Sequence, residues 1–419
     1  MNYNDLTKEQ LIQLLKKKNR ETHYGLVWER EGIEKDKAYN EDFVTLEFIK
    51  KSSVKDDSLP GYNNFIIEGD NFDALRYIKM THSGKIKCIY IDPPYNTGNK
   101  DFLYNDRYID PNDKYKHSTW LEFMYQRLVL AKDLLTKDGV IFVSIDDNEI
   151  FQLGMLMNKI FGEKNFVANI TWHKKRGKDN SAKFFSISHE YILVFAKDSN
   201  SFIVNKLELD EETKKAYRNP DNDPRGPYRL LGLWSRQQGG SEYDYTTKNG
   251  KYFPKIPWLV NKESMQKLEE ENKIVETEKK LYRKLFLSEN SGSIPETIWL
   301  NLSNNANAKD ELKDIFLDES SLFDTPKPTV LIKRILKIST NHGDTILDFF
   351  AGSGTTAHAV LKLNKEDGGN RKFILVSNTE ATNEEPNKNL CKDICAERVK
   401  KVITGYTNKH HYIFFILGT

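Results

Sequence analysis

The sequence predicts an α/β fold interrupted by an inserted domain. Three observations carry this reading. Apolar runs of strand length alternate with stretches whose apolar residues recur at helical spacing. Residues 140–145 are nearly all apolar, as a parallel strand covered by helices on both faces requires. The rhythm stops over residues 200–325, which hold Pro220, Pro224, Pro227, Pro254, Pro257 and the Gly239-Gly240 pair, and it resumes at Lys327.

In chain order, the first element is a helix. Thr7 and Gln10 stand at capping-box spacing, and Leu11, Ile12, Leu14 and Leu15 supply an apolar side. Residues 1–60 are read as a helical extension, closed by a polar, turn-rich stretch. Residues 61–199 begin the α/β domain, with a strand at 64–68, a helix at 72–78 and a strand at 87–91. Thr119 with Glu122 reads as the cap of the next helix. Leu121, Met124, Leu128, Ala131 and Leu135 form its apolar face, and Gly139 stops it. After the strand at 140–145, Asp146 with Glu149 reads as another cap, and strands follow at 167–172 and 191–196. Beyond the insertion, which holds a charged helix at 263–272, residues 326–408 complete the domain. There 330–338, 356–363 and 392–403 read as helices, and 345–347 and 373–376 as strands.

Composition bounds the chemistry. The chain has 419 residues, enough for a large core and two lobes. A net charge of only +2 argues against a polycationic tail protein but leaves room for local basic surfaces. The three cysteines, Cys88, Cys391 and Cys395, are too few for a disulfide framework. Cys391 and Cys395 share a helical face without the His or second Cys pair that zinc needs, so no metal site is expected. No apolar stretch reaches membrane-spanning length, and the first ten residues lack signal-peptide character, so a cytoplasmic location is expected.

Two motifs carry chemistry. The strand at 87–91 ends in Asp92-Pro93-Pro94-Tyr95. Two prolines stiffen the turn and remove two N–H donors. The Asp92 carboxylate, the Pro93 carbonyl and the ring of Tyr95 together suit an exocyclic amino group on a flat base. A stiff structural turn accounts for the tetrapeptide equally well. The second motif, Asp348-Phe349-Phe350-Ala351-Gly352-Ser353-Gly354-Thr355, joins a strand to a helix. Its glycines let backbone approach a ligand at a helix N-terminus. Glu380, after the next strand, is placed to bind a ribose hydroxyl pair. A nicotinamide dinucleotide and S-adenosylmethionine both carry that ribose, so Glu380 does not separate them. A nicotinamide-dependent oxidoreductase, however, leaves the Asp92 motif without a role.

Together, Ile-Asp-Pro-Pro-Tyr at 91–95 and the glycine-rich run far downstream resemble the β class of DNA adenine-N6 methyltransferases. More of the chain resembles the modification subunits of type III restriction–modification systems. The matching runs include residues 24–29, 67–71, 96–98, 139–147, 189–191, Lys327-Pro328 and Glu397-Arg398. The resemblance implies a circularly permuted Rossmann-like, S-adenosylmethionine-dependent methyltransferase fold. In it, residues 200–325 are a target-recognition domain, and the first two strands of the usual fold lie at the C-terminal end. It implies base flipping, with Asp92 and the Pro93 carbonyl accepting the adenine N6 hydrogens and Tyr95 stacking on the base. Asp348 through Thr355, Glu380, Lys327 and Asp70 are then assigned to the cofactor, although Asp70 serves equally well as a helix cap. Cytosine-N4 methylation uses similar motifs, commonly with Ser in place of Asp, and stays an alternative.

A basic run holding Lys174, Lys175, Arg176 and Lys178 is read as a phosphate-contacting loop. In the insertion, Arg225, Tyr228, Arg229, Trp234 and Arg236 with Gln237 and Gln238 are candidates for reading base edges. The expected partners are double-stranded DNA, a second copy of the chain and a separate ATP-dependent restriction subunit, since no Walker loop or nuclease constellation is present. Family members continue past residue 409 in a lysine- and glycine-rich stretch. Here the chain reads His-His-Tyr-Ile-Phe-Phe-Ile-Leu-Gly-Thr, so 409–419 is expected to be an atypical tail, from truncation or a shifted frame, that leaves a catalytically weak specificity subunit as a second alternative.

Overall fold

The structure is a computed structural model. It describes residues 7–12, 26, 28, 45–54, 64–98, 103–104, 107–108, 116–175, 177–234, 240–300, 302–317, 323, 325–381, 385–405 and 412–418. Two compact units divide the chain: Met1–Asn205 with Glu296–Thr419, and Lys206–Pro295.

The first unit is built on a ten-stranded sheet. In chain order its elements are β1 (Thr45–Phe48), β2 (Phe65–Glu68), α1 (Asn71–His82), β3 (Ile86–Ile91), α2 (Lys116–Leu134), β4 (Leu135–Ile145), α3 (Ile150–Phe161), β5 (Phe166–His173), β6 (His189–Ala196) and β7 (Ile298–Trp299). After these come α4 (Asn305–Phe316), α5 (Thr329–Ser339), β8 (Thr345–Asp348), α6 (Thr355–Asp367), β9 (Lys372–Ser377), α7 (Glu397–Gly405) and β10 (Ile413–Gly418). The spatial order is β1-β10-β2-β9-β8-β3-β4-β6-β5-β7. Strands β10 through β4 run parallel, and β6 is antiparallel to both β4 and β5. Strand β3 is buried throughout and β4 from Gly139 to Ile145, which accounts for their largely apolar character there.

The crossovers from β8 go one way along the sheet, through β9, and those from β3 go the other, through β4. The seam between β8 and β3, paired at Ile346 with Cys88 and Leu347 with Ile89, is therefore the topological switch point, where open α/β sheets bind ligands. Strand β8, which leads into the glycine motif, comes late in sequence, after β1 to β7, yet lies in the middle of the sheet, as a circularly permuted methyltransferase fold requires.

Several local expectations are corrected. The Thr7–Gln10 capping box forms: Thr7 N donates to Gln10 Oε1 and Gln10 N to Thr7 Oγ1. Leu14 and Leu15 lie outside the described residues. Residues 1–60 are not purely helical, because 45–48 form the edge strand β1. Thr119 and Glu122 do not cap α2; the helix begins at Lys116, and buried Glu122 accepts from Trp28 Nε1 at 2.8 Å. Gly139 lies within β4 rather than ending a helix.

The boundaries of the insertion also move. The compact second unit is narrower than 200–325. Residues 296–325 join the first unit because Trp299 is buried in β7 beside β5, and Glu311 on α4 accepts from the Thr329 hydroxyl at 2.6 Å. Residue 205 joins it because Asn205 N donates to the Ile338 carbonyl at 2.8 Å. The chain's ending is likewise no appendage. Residues 413–418 form β10, inserted between β1 and β2, with Phe414 buried.

The second unit holds a three-stranded antiparallel sheet (Ile274–Glu276, Leu281–Phe286, Tyr228–Gly232), a hairpin (Ser241–Thr246 with Tyr252–Trp258) and the helix Lys262–Glu270. Its core gathers Leu233, Tyr245, Phe253, Trp258, Met265 and Leu281. No helix among the described residues is long and apolar enough to cross a membrane.

Candidate active site

Where β3 ends, the chain turns through Asp92-Pro93-Pro94-Tyr95 at the switch point. Two contacts fix the turn from behind. Trp120 Nε1 of α2 donates to the Pro94 carbonyl at 2.7 Å. Asn96, in the left-handed region at φ 57°, donates from Nδ2 to Glu149 Oε1 at 2.6 Å. Glu149 also meets His117 Nδ1 at 2.7 Å and makes no side-chain capping bond to α3, so the expected cap is instead a brace for the turn.

Ahead of the turn lies a five-residue polar network. Lys327 Nζ sits 3.0 Å from Asp92 Oδ1, 3.0 Å from Glu190 Oε2 and 2.8 Å from the Tyr95 hydroxyl. The Tyr95 hydroxyl is 2.8 Å from Asp92 Oδ1 and 3.1 Å from Glu190 Oε2, and its single proton serves one of them at a time. Lys174 Nζ closes the set at 3.0 Å from Glu190 Oε1. The side chains of Lys327 and Glu190 are 7% and 5% exposed, against 23% for Asp92 and 22% for Lys174, so Asp92 is the more accessible of the two carboxylates.

The two carboxylates are driven apart. Burial raises the Asp92 carboxyl above its ordinary value, with Glu190 adding to the rise, and the attraction of Lys327 only partly offsets it. Burial also penalises the Glu190 carboxylate, but the ammonium groups of Lys327 and Lys174 outweigh this and hold it below its ordinary value. Lys327 itself is desolvated, yet its two carboxylate neighbours raise its pKa and keep it charged.

Beside this network the glycine motif connects β8 to α6. Asp348 points inward: its carboxylate accepts from Phe350 N at 3.0 Å and from the Thr356 hydroxyl at 2.5 Å, and burial pushes it up to about 7. It shapes the loop rather than presenting a free acceptor. Gly354 caps α6 at φ 78°, and a Cβ there would stand 3.0 Å from Cys395 Sγ, which leaves glycine as the fitting residue. Gly352, at φ 48°, lies against the ring of Phe323. The Ala351 amide bonds to the Val376 carbonyl of β9, and the Phe349 carbonyl accepts from Asn71 Nδ2. Phe350 stacks obliquely on Phe123, 5.9 Å between centroids. Ser353 and Thr355 hydroxyls accept from Arg398, at 3.2 and 2.8 Å, and that guanidinium is fully buried.

The remaining assignments divide. Glu380 follows β9, has φ 51° and pairs with Lys388 at 3.3 Å. Asp70 caps α1 by accepting from Phe72 N, and its other oxygen pairs with Arg127 at 3.2 Å, so the cap reading accounts for it. Lys174 turns to Glu190 rather than to the surface, whereas Lys175 and Lys178 are exposed. Arg176 and Arg236, with Gln237 and Gln238, lie outside the described residues. In the second unit Arg225 Nη2 donates to Asp223 Oδ2 at 2.8 Å and the Tyr228 hydroxyl to Asp221 Oδ1 at 3.0 Å. Among the described residues, no group of three or more His, Cys, Asp or Glu side chains forms a metal site.

The donor set fits S-adenosylmethionine. A glycine-rich backbone and a helix N-terminus lie at the switch point, with the Asp92 carboxylate at the end of one neighbouring strand and Glu380 beyond the other. Sequence reasoning missed the roles of Glu190 and Arg398. Both fall in quoted runs, but a lone acid opening a strand and a lone arginine in a helix carry no local sign of their partners.

A family model described as DNA methylase matches residues 86–378. The type III restriction-modification enzyme StyLTI Mod subunit of Salmonella typhimurium is 36% identical over 384 residues, covering 81% of this chain and 57% of its own. The EcoPI Mod subunit of Escherichia phage P1 is 34% identical, covering 77% and 59%. The type II methyltransferase M.KpnI of Klebsiella pneumoniae is 33% identical, covering 76% and 81%. The chain thus spans less than two thirds of the length of these two Mod subunits.

Proposed function

The chain belongs to the DNA methylase family, and on that premise we propose that it transfers a methyl group from S-adenosylmethionine to the N6 amino group of adenine in duplex DNA. The observation that carries this reading is the contact between Asp92, Tyr95, Lys327 and Glu190, at the switch point and beside the glycine loop.

S-adenosylmethionine, when bound, supplies an electrophilic methyl group. Phe349 through Gly354 and the N-terminus of α6 would hold it, with Glu380 at its ribose. The amino group of adenine is a poor nucleophile because its lone pair is delocalised into the ring, and stacking hides it in the duplex. The target base must therefore leave the stack. The Asp92 carboxylate and the Pro93 carbonyl accept its two amino hydrogens, which favours a pyramidal nitrogen. Tyr95, its hydroxyl held by the ionic network, offers its ring to the base.

A nitrogen that gains a carbon must lose a proton. Two carboxylates with opposite shifts suggest the division of labour. Asp92, raised by burial, is the proton acceptor. Glu190, held down by two ammonium groups, stays charged and keeps Lys327 and Tyr95 in place. The rest of the work is positioning and charge complementarity.

By analogy with the Mod subunits, the chain acts in a restriction–modification system with a separate restriction subunit, as a homodimer, in the cytoplasm. Incubation with tritiated S-adenosylmethionine and unmethylated duplex DNA, followed by nucleoside analysis, tests the central reading. N6-methyladenine from wild type but not from Asp92→Ala is expected. N4-methylcytosine overturns the base assignment, and cofactor binding without label in DNA favours a specificity subunit.

A further inference from the structure

The loop between β5 and β6 has a second character beyond its charge. Its base is closed by a bond from Lys174 N to the Ser188 carbonyl at 2.9 Å. Its limbs are tied by Asp179 N donating to Ser186 Oγ at 2.6 Å, and Asp179 Oδ1 accepts from Ser181 N at 3.0 Å. Between these ties the loop presents Phe184 and Phe185, 81% and 89% exposed, with Ile187 52% exposed. Single exposed apolar side chains are ordinary, but two adjacent bare aromatic rings on an internally tied loop mark a contact site.

Position and charge name the occupant. Because β6 runs antiparallel to β4, with Tyr191 opposite Ile145, the loop leaves the sheet at the edge where Asp92 and Asp348 lie. Glu190, one residue into β6, touches Lys327 and lies within reach of Tyr95. The same loop carries Lys175, Lys178 and Lys183, all exposed, against a single Asp179, and the Lys183 ammonium lies 5.2 Å from the Phe184 centroid. Flat apolar rings among cations match stacked bases between phosphates, and a protein surface would have no comparable need for both.

We propose that Phe184 and Phe185 form a wedge that enters the base stack beside the target adenine and fills the space it leaves. This rests on the methyl-transfer reading above. No covalent step is involved. The lysines hold the flanking phosphates while a ring replaces the stacking lost when the base swings out.

The test starts from wild-type label transfer to unmethylated bacteriophage λ DNA, with sequencing to map the methylated site. A duplex carrying that site, with 2-aminopurine at the target position, is then titrated with wild type, the Phe184→Ala/Phe185→Ala double variant and the Phe184→Trp/Phe185→Trp double variant. The alanine pair is expected to lose most of the 2-aminopurine fluorescence rise and to lower kcat about 10- to 100-fold, the range for misplacing a reacting group. Its binding of S-adenosylmethionine should be unchanged, which also shows that it is folded, and the tryptophan pair should recover flipping. An undiminished fluorescence rise in the alanine pair, or a change in KM alone, overturns the wedge while leaving methyl transfer intact. Absence of label transfer by wild type overturns the underlying reading, and the wedge with it.

Discussion

The Lys327 ammonium lies 3.0 Å from the Asp92 carboxylate, in a contact that joins the segment before the inserted unit to the segment after it. The same ammonium holds Glu190, so one cation ties three segments together: the turn after β3, the start of β6 and the approach to α5. The contact is buried, so its charges are weakly screened and the site and the fold depend on each other.

Lys327→Met leaves two carboxylates without the cation between them. Breaking a buried pair by removing one partner costs about 3–5 kcal/mol, and urea unfolding at neutral pH should show a loss of that order. The Asp92 carboxyl, already raised by burial, loses the charge that opposes the rise. If the ionised carboxylate is needed for transfer, the acidic limb of the activity profile moves to higher pH. An unmoved limb would show that Lys327 does not act on Asp92 through charge.

Glu190→Gln should move the same limb the other way. Glu190 adds to the rise of the Asp92 carboxyl, so removing its charge lets that carboxyl fall. Lys174 and Lys327 lose their shared partner, and kcat should drop about 10- to 100-fold through misplacement, with cofactor affinity unchanged. Equal shifts in one direction for both variants would refute the opposed roles of these two residues.

Asp348→Asn probes a pH-dependent cost in the glycine loop. The Asp348 carboxyl is raised to about 7 in the fold, so the folded state binds a proton that the unfolded state has already released. Stability from this group is full below the ordinary carboxylate range and is lost as pH climbs towards 7. The asparagine variant lacks that slope. Unfolding free energies measured from pH 4 to pH 7 should therefore shift in favour of the variant as pH rises, by at most about 1.4 kcal/mol per unit.

Phe414→Ala tests whether the chain's ending is part of the domain. Phe414 is fully buried in β10, between β1 and β2. Its truncation should cost about 3–5 kcal/mol in chemical denaturation. A change within about 0.5 kcal/mol is what an exposed appendage would give.

The sheet was legible because burial on both faces leaves a strand few polar positions. Residues 140–145 and 87–91 show this directly, and both are buried central strands. Helix caps were less legible. Asp146, Glu149, Thr119 and Glu122 all have the residue types and spacing of caps, but Glu149 and Glu122 are used by Asn96 and Trp28. Capping is one of several uses for a side-chain oxygen, and a distant donor can outcompete the local amide. The basic loop was legible as charge alone. That Lys174 belongs to the site and that Phe184 and Phe185 stand bare depends on which way the loop faces.

By itself the sequence determined the family, the order of its two motifs and the turn in which Asp92 stands, because these depend on residue identity and local backbone restriction. Only the tertiary structure decided that Lys327 and Glu190 complete that turn, that Asp348 faces inward and that residues 413–418 supply a strand. Each of those outcomes rests on contacts between residues far apart in the chain, whose free energy depends on burial and partner charge rather than on any local pattern.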